Sequence, residues 1–185
     1  MLTDVIGRVR NISLAASKPL LPLYEAIVNS IQAIEDADVD GGRIDITVCR
    51  DQNHLLANVD KSSGEIESFS VKDNGIGFTE PNYDAFQTSD TTYKARRGGK
   101  GIGRFLWLVA FEEVKIESHF VSQDKGMLRR FSFVPLGDGI KDTSVTPSSR
   151  PHRETTVTLL KYKEKYRRQC PRRLDRSSPP LAGNW

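Results

Sequence analysis

Two polar residues within a long apolar pattern, Glu25 and Asn29, have the types and the spacing to hold a metal ion. Residues four apart lie on one face of a helix, about 5–6 Å from each other, and Ala33 continues the same line. A carboxylate and a carboxamide at the margin of a buried face are costly unless a polar partner meets them. Mg²⁺ is such a partner, because it prefers oxygen ligands and shares phosphate oxygens, while a nearby Glu can orient or deprotonate a water. The alternative is a helix on which both side chains point to solvent.

A second candidate is the acid at the end of an alternating segment, Asp73, which is followed by Gly75 and Gly77. In a strand with period two, Asp73 shares a face with Phe69 and Val71, so its carboxylate should point toward the core. A buried acid needs hydrogen-bond donors, and the exocyclic amino group of an adenine is one. The glycines permit close approach by a flat ring. The alternative is an Asx turn that closes a strand.

Glycines are concentrated in a third segment, residues 98–104, with the sequence Gly-Gly-Lys-Gly-Ile-Gly-Arg. Exposed backbone N–H groups ahead of a helix form an anion site, and phosphate is its natural occupant. The segment is not a Walker A loop, because that pattern is absent, and it does not follow a strand as a dinucleotide fingerprint does. The candidate phosphate-binding residues are Gly99, Lys100, Gly101, Ile102 and Gly103.

The elements that must position these residues follow from hydrophobic periodicity. Apolar residues at helical spacing predict a helix over residues 19–37, with Pro19 suited to a first turn. Period-two alternation predicts strands over residues 44–48 and 65–73. The polar stretch between these strands, residues 51–61, is interpreted as a hairpin region.

Residues 79–103 show no periodicity, and we interpret them as a long loop that serves as a lid or a binding loop. A short buried helix is predicted next, over residues 104–111. Residues 137–153, rich in Gly, Ser, Pro and Asp, are interpreted as another loop. Three further strands are predicted at residues 113–118, 127–134 and 155–161.

Composition indicates one folded domain. The chain has 185 residues, of which 37% are hydrophobic. A chain of this length can bury enough apolar surface to fold without disulfides or a structural metal ion. The two cysteines, Cys49 and Cys170, form no CxxC pair, which suits a reducing compartment, so we expect a cytoplasmic location. The sequence has no signal-peptide pattern and no apolar run of about 18 residues, so we expect no membrane role.

Positive charge is concentrated near the C-terminus. Residues 161–176 carry a local charge of +6, whereas the whole chain carries +3 at pH 7. We therefore divide the chain into a folded domain, residues 1–160, and a basic tail, residues 161–185, interpreted as an unfolded end or a truncated connection to a further domain. The tail could meet DNA or an acidic partner, or it could be a solvated end.

The order and spacing of the three segments resemble the GHKL family of ATP-binding domains, which includes the DNA gyrase B subunit, a heat-shock chaperone, histidine kinases and MutL. The resemblance covers residues 19–160, nearly the whole predicted domain. The segments similar to the N-box, the next box and the hinge of the glycine lid are, in chain order, Glu25-xxx-Asn29, Asp73-x-Gly75-x-Gly77 and Gly99-x-Gly101-x-Gly103.

This resemblance implies a Bergerat fold, an α/β two-layer sandwich with a mixed, mostly antiparallel sheet and helices on one face. The implied reaction is hydrolysis of Mg²⁺-ATP, in which Glu25 activates water, Asn29 coordinates Mg²⁺ and Asp73 recognises adenine. Ala33 is counted with Asn29 among the nucleotide-contacting residues. Thr155 is similar to the late-strand Thr that assists this Asp, although Glu154 stands where the family usually has Gly.

Three basic residues are candidate phosphate contacts in the implied site, and the sequence does not choose among them: Lys94, Lys100 and Arg104. Thr88-Ser89 and the Gly-Lys-Gly hinge favour likeness to MutL-like and uncharacterised prokaryotic members. Histidine-kinase activity is disfavoured, because that subgroup has Asn in place of the N-box Glu, whereas a serine-kinase type stays open.

A second function of a different class is an ATP-gated interaction module that closes its lid and forms a homodimer or engages a protein partner, with little turnover. MutL-like and gyrase-like relatives take a phosphate-contacting lysine from a following domain, so slow hydrolysis is expected of this chain. A third hypothesis is a DNA-associated ATPase subunit that uses the basic tail.

Overall fold

The computed structural model describes residues 4–51, 64–88, 103–150 and 152–171. The helices are α1 (Val5–Asn11), α2 (Leu21–Ala37), α3 (Glu80–Gln87), α4 (Gly103–Ala110) and α5 (Glu164–Arg167). The strands are β1 (Ile44–Arg50), β2 (Ile66–Asp73), β3 (Phe111–Ser122), β4 (Lys125–Phe133), β5 (Ile140–Pro147) and β6 (Glu154–Tyr162). The predicted hairpin region, apart from Asp51, lies outside the described residues.

The six strands form one sheet in the spatial order β1-β2-β6-β3-β4-β5. Every neighbouring pair is antiparallel, so the described sheet is wholly antiparallel, whereas a mixed, mostly antiparallel one was expected. β6 is the last strand along the chain, yet it lies between β2 and β3. This insertion brings residues from the middle and the end of the chain together at the centre of the sheet.

Burial alternates along the central strands, because helices cover one face of the sheet. Val71, Ile116 and Val157 are almost fully buried, whereas Lys72 and Thr156, on the opposite face, are only partly covered. α2 packs on β1 and β2, and α4 packs on β3 and on α2. The predicted two-layer α/β architecture with helices on one face is confirmed.

Helix α2, which carries the first candidate residues, begins at Leu21, two residues later than predicted, and ends at Ala37 as predicted. Pro22 lies in its first turn, where the missing N–H costs little. Its buried side consists of Pro22, Leu23, Ala26 and Ser30. The left-handed backbone of the next residue, Asp38, with φ of 47°, stops the helix.

Two segments that the sequence analysis interprets as loops contain regular structure, so the loop prediction was wrong for the residues of α3 and β5. Helix α3 lies within residues 79–103, and its Tyr83 and Phe86 pack edge-on against Phe131 of the sheet. Strand β5 lies within residues 137–153 and is exposed along most of its length, because among the described strands it lies at the edge of the sheet and pairs with β4 alone. The rest of the predicted lid, residues 89–102, lies outside the described residues.

Packed residues continue past position 160, where the basic tail was predicted to begin. Tyr162, Tyr166 and Cys170 are at most 8% exposed. The Tyr162 hydroxyl donates to the carbonyl of Pro19, and the Tyr166 hydroxyl donates to that of Leu14 over 3.5 Å. Residues 162–170 are thereby tied to the segment that leads into α2. Among the described helices, none is long and apolar enough to cross a membrane.

Candidate functional site

Asp73 ends β2 on the face that the helices cover, and it is only 4% exposed. Each of its carboxylate oxygens has a donor: the Ser30 hydroxyl binds Oδ2 at 2.8 Å, and the Gly75 backbone N–H binds Oδ1 at 2.9 Å. Burial raises the pKa of Asp73, although these two hydrogen bonds oppose the shift. A carboxylate oxygen can accept more than one hydrogen bond, so Asp73 retains acceptor capacity for a ligand.

The strand register places Thr155 of β6 directly opposite Asp73, and Ser118 of β3 directly opposite Thr155. The hydroxyls of Thr155 and Ser118 are 2.8 Å apart, and the Ser118 hydroxyl also accepts the backbone N–H of Phe78 at 2.9 Å. Sequence reasoning found Thr155 and missed Ser118. The signal for Ser118 lies in the pairing of strands distant along the chain, which the sequence alone does not display.

The turn after β2 lies directly against α2, and its glycines make this close approach feasible. A Cβ atom on Gly75 would lie 2.5 Å from the carbonyl carbon of Ala33, and the backbone N–H of Ile76 donates to the Ala33 carbonyl at 2.8 Å. Gly77 has φ of +77°, and a Cβ there would lie 2.8 Å from the Ser118 hydroxyl. The predicted glycine positions are therefore sites of tight backbone packing, and Ala33 contributes its backbone to the turn.

Glu25 and Asn29 lie on α2, and both are half-buried. Within the described part of the chain, neither side chain has a hydrogen bond or an ion pair. The Glu25 carboxylate lies against Gly103 at the start of α4. The approach is so close that a Cβ atom at position 103 would lie 2.1 Å from Glu25 Oε2. Partial burial raises the pKa of the Glu25 carboxyl above its ordinary value, since desolvation disfavours the charged form.

Arg104, a candidate phosphate contact, has protein partners. Its guanidinium lies 4.7 Å from the ring centre of Phe105 and 5.3 Å from that of Phe86, and it donates to the carbonyl of Thr88 at 3.2 Å. The other candidate phosphate contacts lie outside the described residues, and their roles stay predictions: Lys94, Gly99, Lys100, Gly101 and Ile102.

α2 contacts both of the other segments that carry described candidates, the turn after β2 and the start of α4, while Thr155 lies opposite Asp73 on β6. Ser30 joins α2 to Asp73, Ala33 joins it to Gly75, and Glu25 joins it to Gly103. A depression of about 510 Å³ lies instead on the open face of the sheet, and none of the candidate residues lines it. Its lining includes Lys115, Glu117, Arg130 and Thr156.

The donor set fits Mg²⁺ held together with a nucleotide better than a metal held by protein alone. No group of three His, Cys, Asp or Glu residues that could hold a metal occurs in the described ranges. Mg²⁺ is commonly bound through one or two protein oxygens, with waters and substrate phosphates completing its octahedral shell. The Asn29 carboxamide, which has no partner within those ranges, can supply one such oxygen.

No protein-family model matches the sequence, and no curated protein matches it. The fold is similar to that of the ATPase region of Saccharomyces cerevisiae topoisomerase II, with a TM-score of 0.55 and 15% sequence identity. The match covers 80% of this chain and 39% of that chain. The same region bound to ICRF-187 (dexrazoxane) matches with the same values. The likeness shows the fold alone, and the predicted likeness to MutL-like members stays a prediction.

Proposed function

We propose that this chain binds Mg²⁺-ATP and hydrolyses it slowly to ADP and phosphate. The observation that carries the proposal is the environment of Asp73: a buried acid with acceptor capacity, beside Thr155 and the Gly75–Gly77 turn, and joined through Ser30 to the helix of Glu25 and Asn29. The similarity to the topoisomerase II ATPase region supports the proposal at the level of the fold.

At the base end of the proposed site, Asp73 accepts a hydrogen bond from the exocyclic amino group of adenine. Its two protein donors fix the carboxylate in position before the ligand arrives. Thr155, opposite Asp73 in the sheet, supplies a second polar group to the same edge of the base. The absence of side chains at Gly75 and Gly77 lets the turn pack against α2 and Ser118, which holds the turn beside Asp73.

At the phosphate end, Asn29 offers its carboxamide oxygen to Mg²⁺, and the metal when bound neutralises charge on the phosphate oxygens. Glu25 orients the attacking water and accepts its proton at a carboxylate oxygen. The raised pKa of Glu25 strengthens it as a base, because a more weakly acidic carboxyl binds the proton more tightly.

Titration of the whole chain with ATP and with a non-hydrolysable analogue, with and without Mg²⁺, tests the binding. We expect saturable binding of both nucleotides that Mg²⁺ strengthens. Steady-state hydrolysis by the wild type and by Glu25→Ala tests the reaction, and we expect slow turnover that the substitution removes. Brisk turnover that Glu25→Ala leaves untouched contradicts the assignment of Glu25, and an absence of binding contradicts the proposal as a whole.

We propose further that nucleotide binding is coupled to homodimerisation or to engagement of a protein partner, a role that the sequence resemblance supports. The non-hydrolysing interaction module is the limiting case, in which binding occurs without turnover. Molecular mass in solution, measured with and without the non-hydrolysable analogue, tests the homodimer. A mass that the analogue leaves at the monomer value contradicts it.

A further inference from the structure

The buried hydroxyl of Ser118 forms hydrogen bonds with two parts of the candidate site. Its side chain lies on β3, is completely shielded from solvent, and is 2.8 Å from the Thr155 hydroxyl. The same oxygen accepts the backbone N–H of Phe78, which directly follows the Gly75–Gly77 turn. Because Ser118 has no exposed surface, any effect that it has on a ligand passes through its neighbours.

Strand register makes Ser118 part of a row of buried polar residues across the covered face of the sheet. Asp73 is opposite Thr155, Thr155 is opposite Ser118, and Ser118 is opposite Arg129. All four are at most 4% exposed. Polar groups in an apolar layer cost free energy unless hydrogen bonds satisfy them, and within this row the hydroxyls of Ser118 and Thr155 bind each other.

Both ends of this row are anchored outside the sheet. Asp73 receives the Ser30 hydroxyl from α2, and Arg129 forms an ion pair with Glu80 at the start of α3. The Arg129 guanidinium also lies 4.2 Å from the ring centre of Tyr83. Ser118 and Thr155 therefore lie in the sheet between two residues that each have a partner outside it.

A hydroxyl carries one proton and two lone pairs, which limits what the Ser118–Thr155 pair can do. One lone pair of Ser118 is used by the N–H of Phe78. The shared bond occupies the proton of Thr155 if Thr155 donates, and one of its lone pairs if Ser118 donates. The remaining donor or acceptor capacity of Thr155 then has a defined direction beside Asp73.

We propose that Ser118 is a positioning residue for base selection, which sets the hydrogen-bonding direction of Thr155 and fixes the turn that faces the base. The inference rests on the proposed function, because it assumes that the base lies against Asp73. Adenine offers an amino donor to this carboxylate, whereas guanine offers a carbonyl oxygen at the equivalent position. A fixed Thr155 hydroxyl adds a second point of discrimination between them.

The test measures the dissociation constants of ATP and GTP, with Mg²⁺, for the whole chain and for Ser118→Ala, Thr155→Val and the double variant. We expect Ser118→Ala to reduce the preference for ATP over GTP by about three- to tenfold, as for one neutral hydrogen bond. We expect the double variant to lose no more preference than Thr155→Val alone. Ser132→Ala, at another buried serine of the sheet, is the matched control and should keep the wild-type ratio.

A merely structural role for Ser118 would weaken both nucleotides equally and would add to the effect of Thr155→Val, and this result would overturn the inference. An unchanged ratio in Ser118→Ala, or a wild type that binds ATP and GTP equally, would overturn it while leaving the proposed ATP binding intact. A wild type that binds neither nucleotide would overturn both. If Ser118→Ala does not fold, Ser118→Cys retains a weak donor and acceptor, and its ratio should lie between those of the wild type and Thr155→Val; a wild-type ratio would again overturn the inference.

Discussion

The two ends of the candidate site differ in how far protein groups satisfy their polar atoms. At the Asp73 end, both carboxylate oxygens have donors, and the neighbouring hydroxyls of Thr155 and Ser118 bind each other. At the Glu25 end, a half-buried carboxylate and the Asn29 carboxamide have no such partners within the described ranges. In terms of the proposed function, the Asp73 end is the proposed base end, which protein groups already organise, and the Glu25 end is the proposed phosphate end, whose polar groups are left for a ligand.

The two ends also differ in what positions them. The base end depends on the register of strands β2, β6 and β3, which is fixed along the whole sheet. The phosphate end depends on one face of α2 and on the absence of a side chain at Gly103. Substitutions at the two ends should therefore separate loss of affinity, loss of turnover and loss of stability.

The largest expected effect is on turnover at the phosphate end. Glu25→Gln removes the proposed base while preserving shape, so we expect the rate of ATP hydrolysis to fall by about 10²- to 10⁴-fold, with little change in affinity. Single-turnover hydrolysis and a binding titration measure the two quantities separately. Glu35→Gln, at an exposed acid of the same helix, is the control and should hydrolyse at the wild-type rate.

At the base end, Asp73→Asn should lower the affinity for ATP by about 10- to 100-fold, the range for a hydrogen bond to a charged group. The fold should survive, because the amide oxygen can accept the Gly75 N–H while the amide nitrogen donates to the Ser30 hydroxyl. Isothermal titration measures the affinity, and thermal melting checks the fold. If Asp73→Asn binds ATP as tightly as the wild type does, Asp73 does not recognise the base.

Two glycine substitutions should have different main effects, one on the stability of the fold and the other on the rate of ATP hydrolysis. Gly75→Ala places a Cβ against the Ala33 backbone, which cannot move aside, so we expect a loss of about 1–3 kcal/mol in the free energy of unfolding. Gly103→Ala adds a Cβ whose nearest atoms among the described residues belong to the Glu25 carboxylate, a flexible group. It should cost less stability and reduce turnover by displacing Glu25. Denaturant unfolding and ATPase rates of both variants test this, and the reverse assignment of effects would contradict it.

The smallest expected effect is a pH-dependent difference in stability between the wild type and Glu25→Gln. The pKa of Glu25 is raised by folding, so the charged carboxyl opposes folding above its folded-state pKa, and this cost disappears below its unfolded-state pKa. Glu25→Gln should therefore stabilise the fold at neutral pH, and the gain should shrink as the pH falls toward 4. Melting temperatures across this range measure it, and a gain that grows on acidification would contradict the assigned shift.

Most central elements could be predicted from the sequence, because their periodicity reflects burial on one side. α2 and β2 follow this rule closely, with predicted bounds within two residues of the observed ones. β5 could not be predicted, because an exposed edge strand has no apolar face and exists through pairing with β4. α3 carried usable signals that were missed: Pro81 in its first turn and a packed pair, Tyr83 and Phe86.

The candidate site likewise contains residues whose placement could be predicted from the sequence and residues whose placement could not. The roles of Glu25, Asn29 and Asp73 at a nucleotide stay predictions, while their placement on one side of their elements could be predicted from local spacing. Ser118 and Arg129 could not, because their roles arise from cross-strand register with residues far away in the chain. The same limit applies to Ala33, whose backbone contact with Gly75 follows from tertiary packing.

Residues 162–170 stabilise the positions of both helices that border the candidate site. Lys163 Nζ donates to the carbonyls of Leu108 and Val109 at the end of α4, while Tyr162 and Tyr166 hold the approach to α2. A chain cut at residue 161 would lose these contacts. Impaired binding of DNA or nucleotide by the shortened chain would therefore reflect a less stable fold as well as the missing positive charge. Neutralising exposed bases one at a time keeps these residues in place and tests the charge; in Lys165→Gln the cation–π contact with the Tyr166 ring, at 5.2 Å, is lost as well.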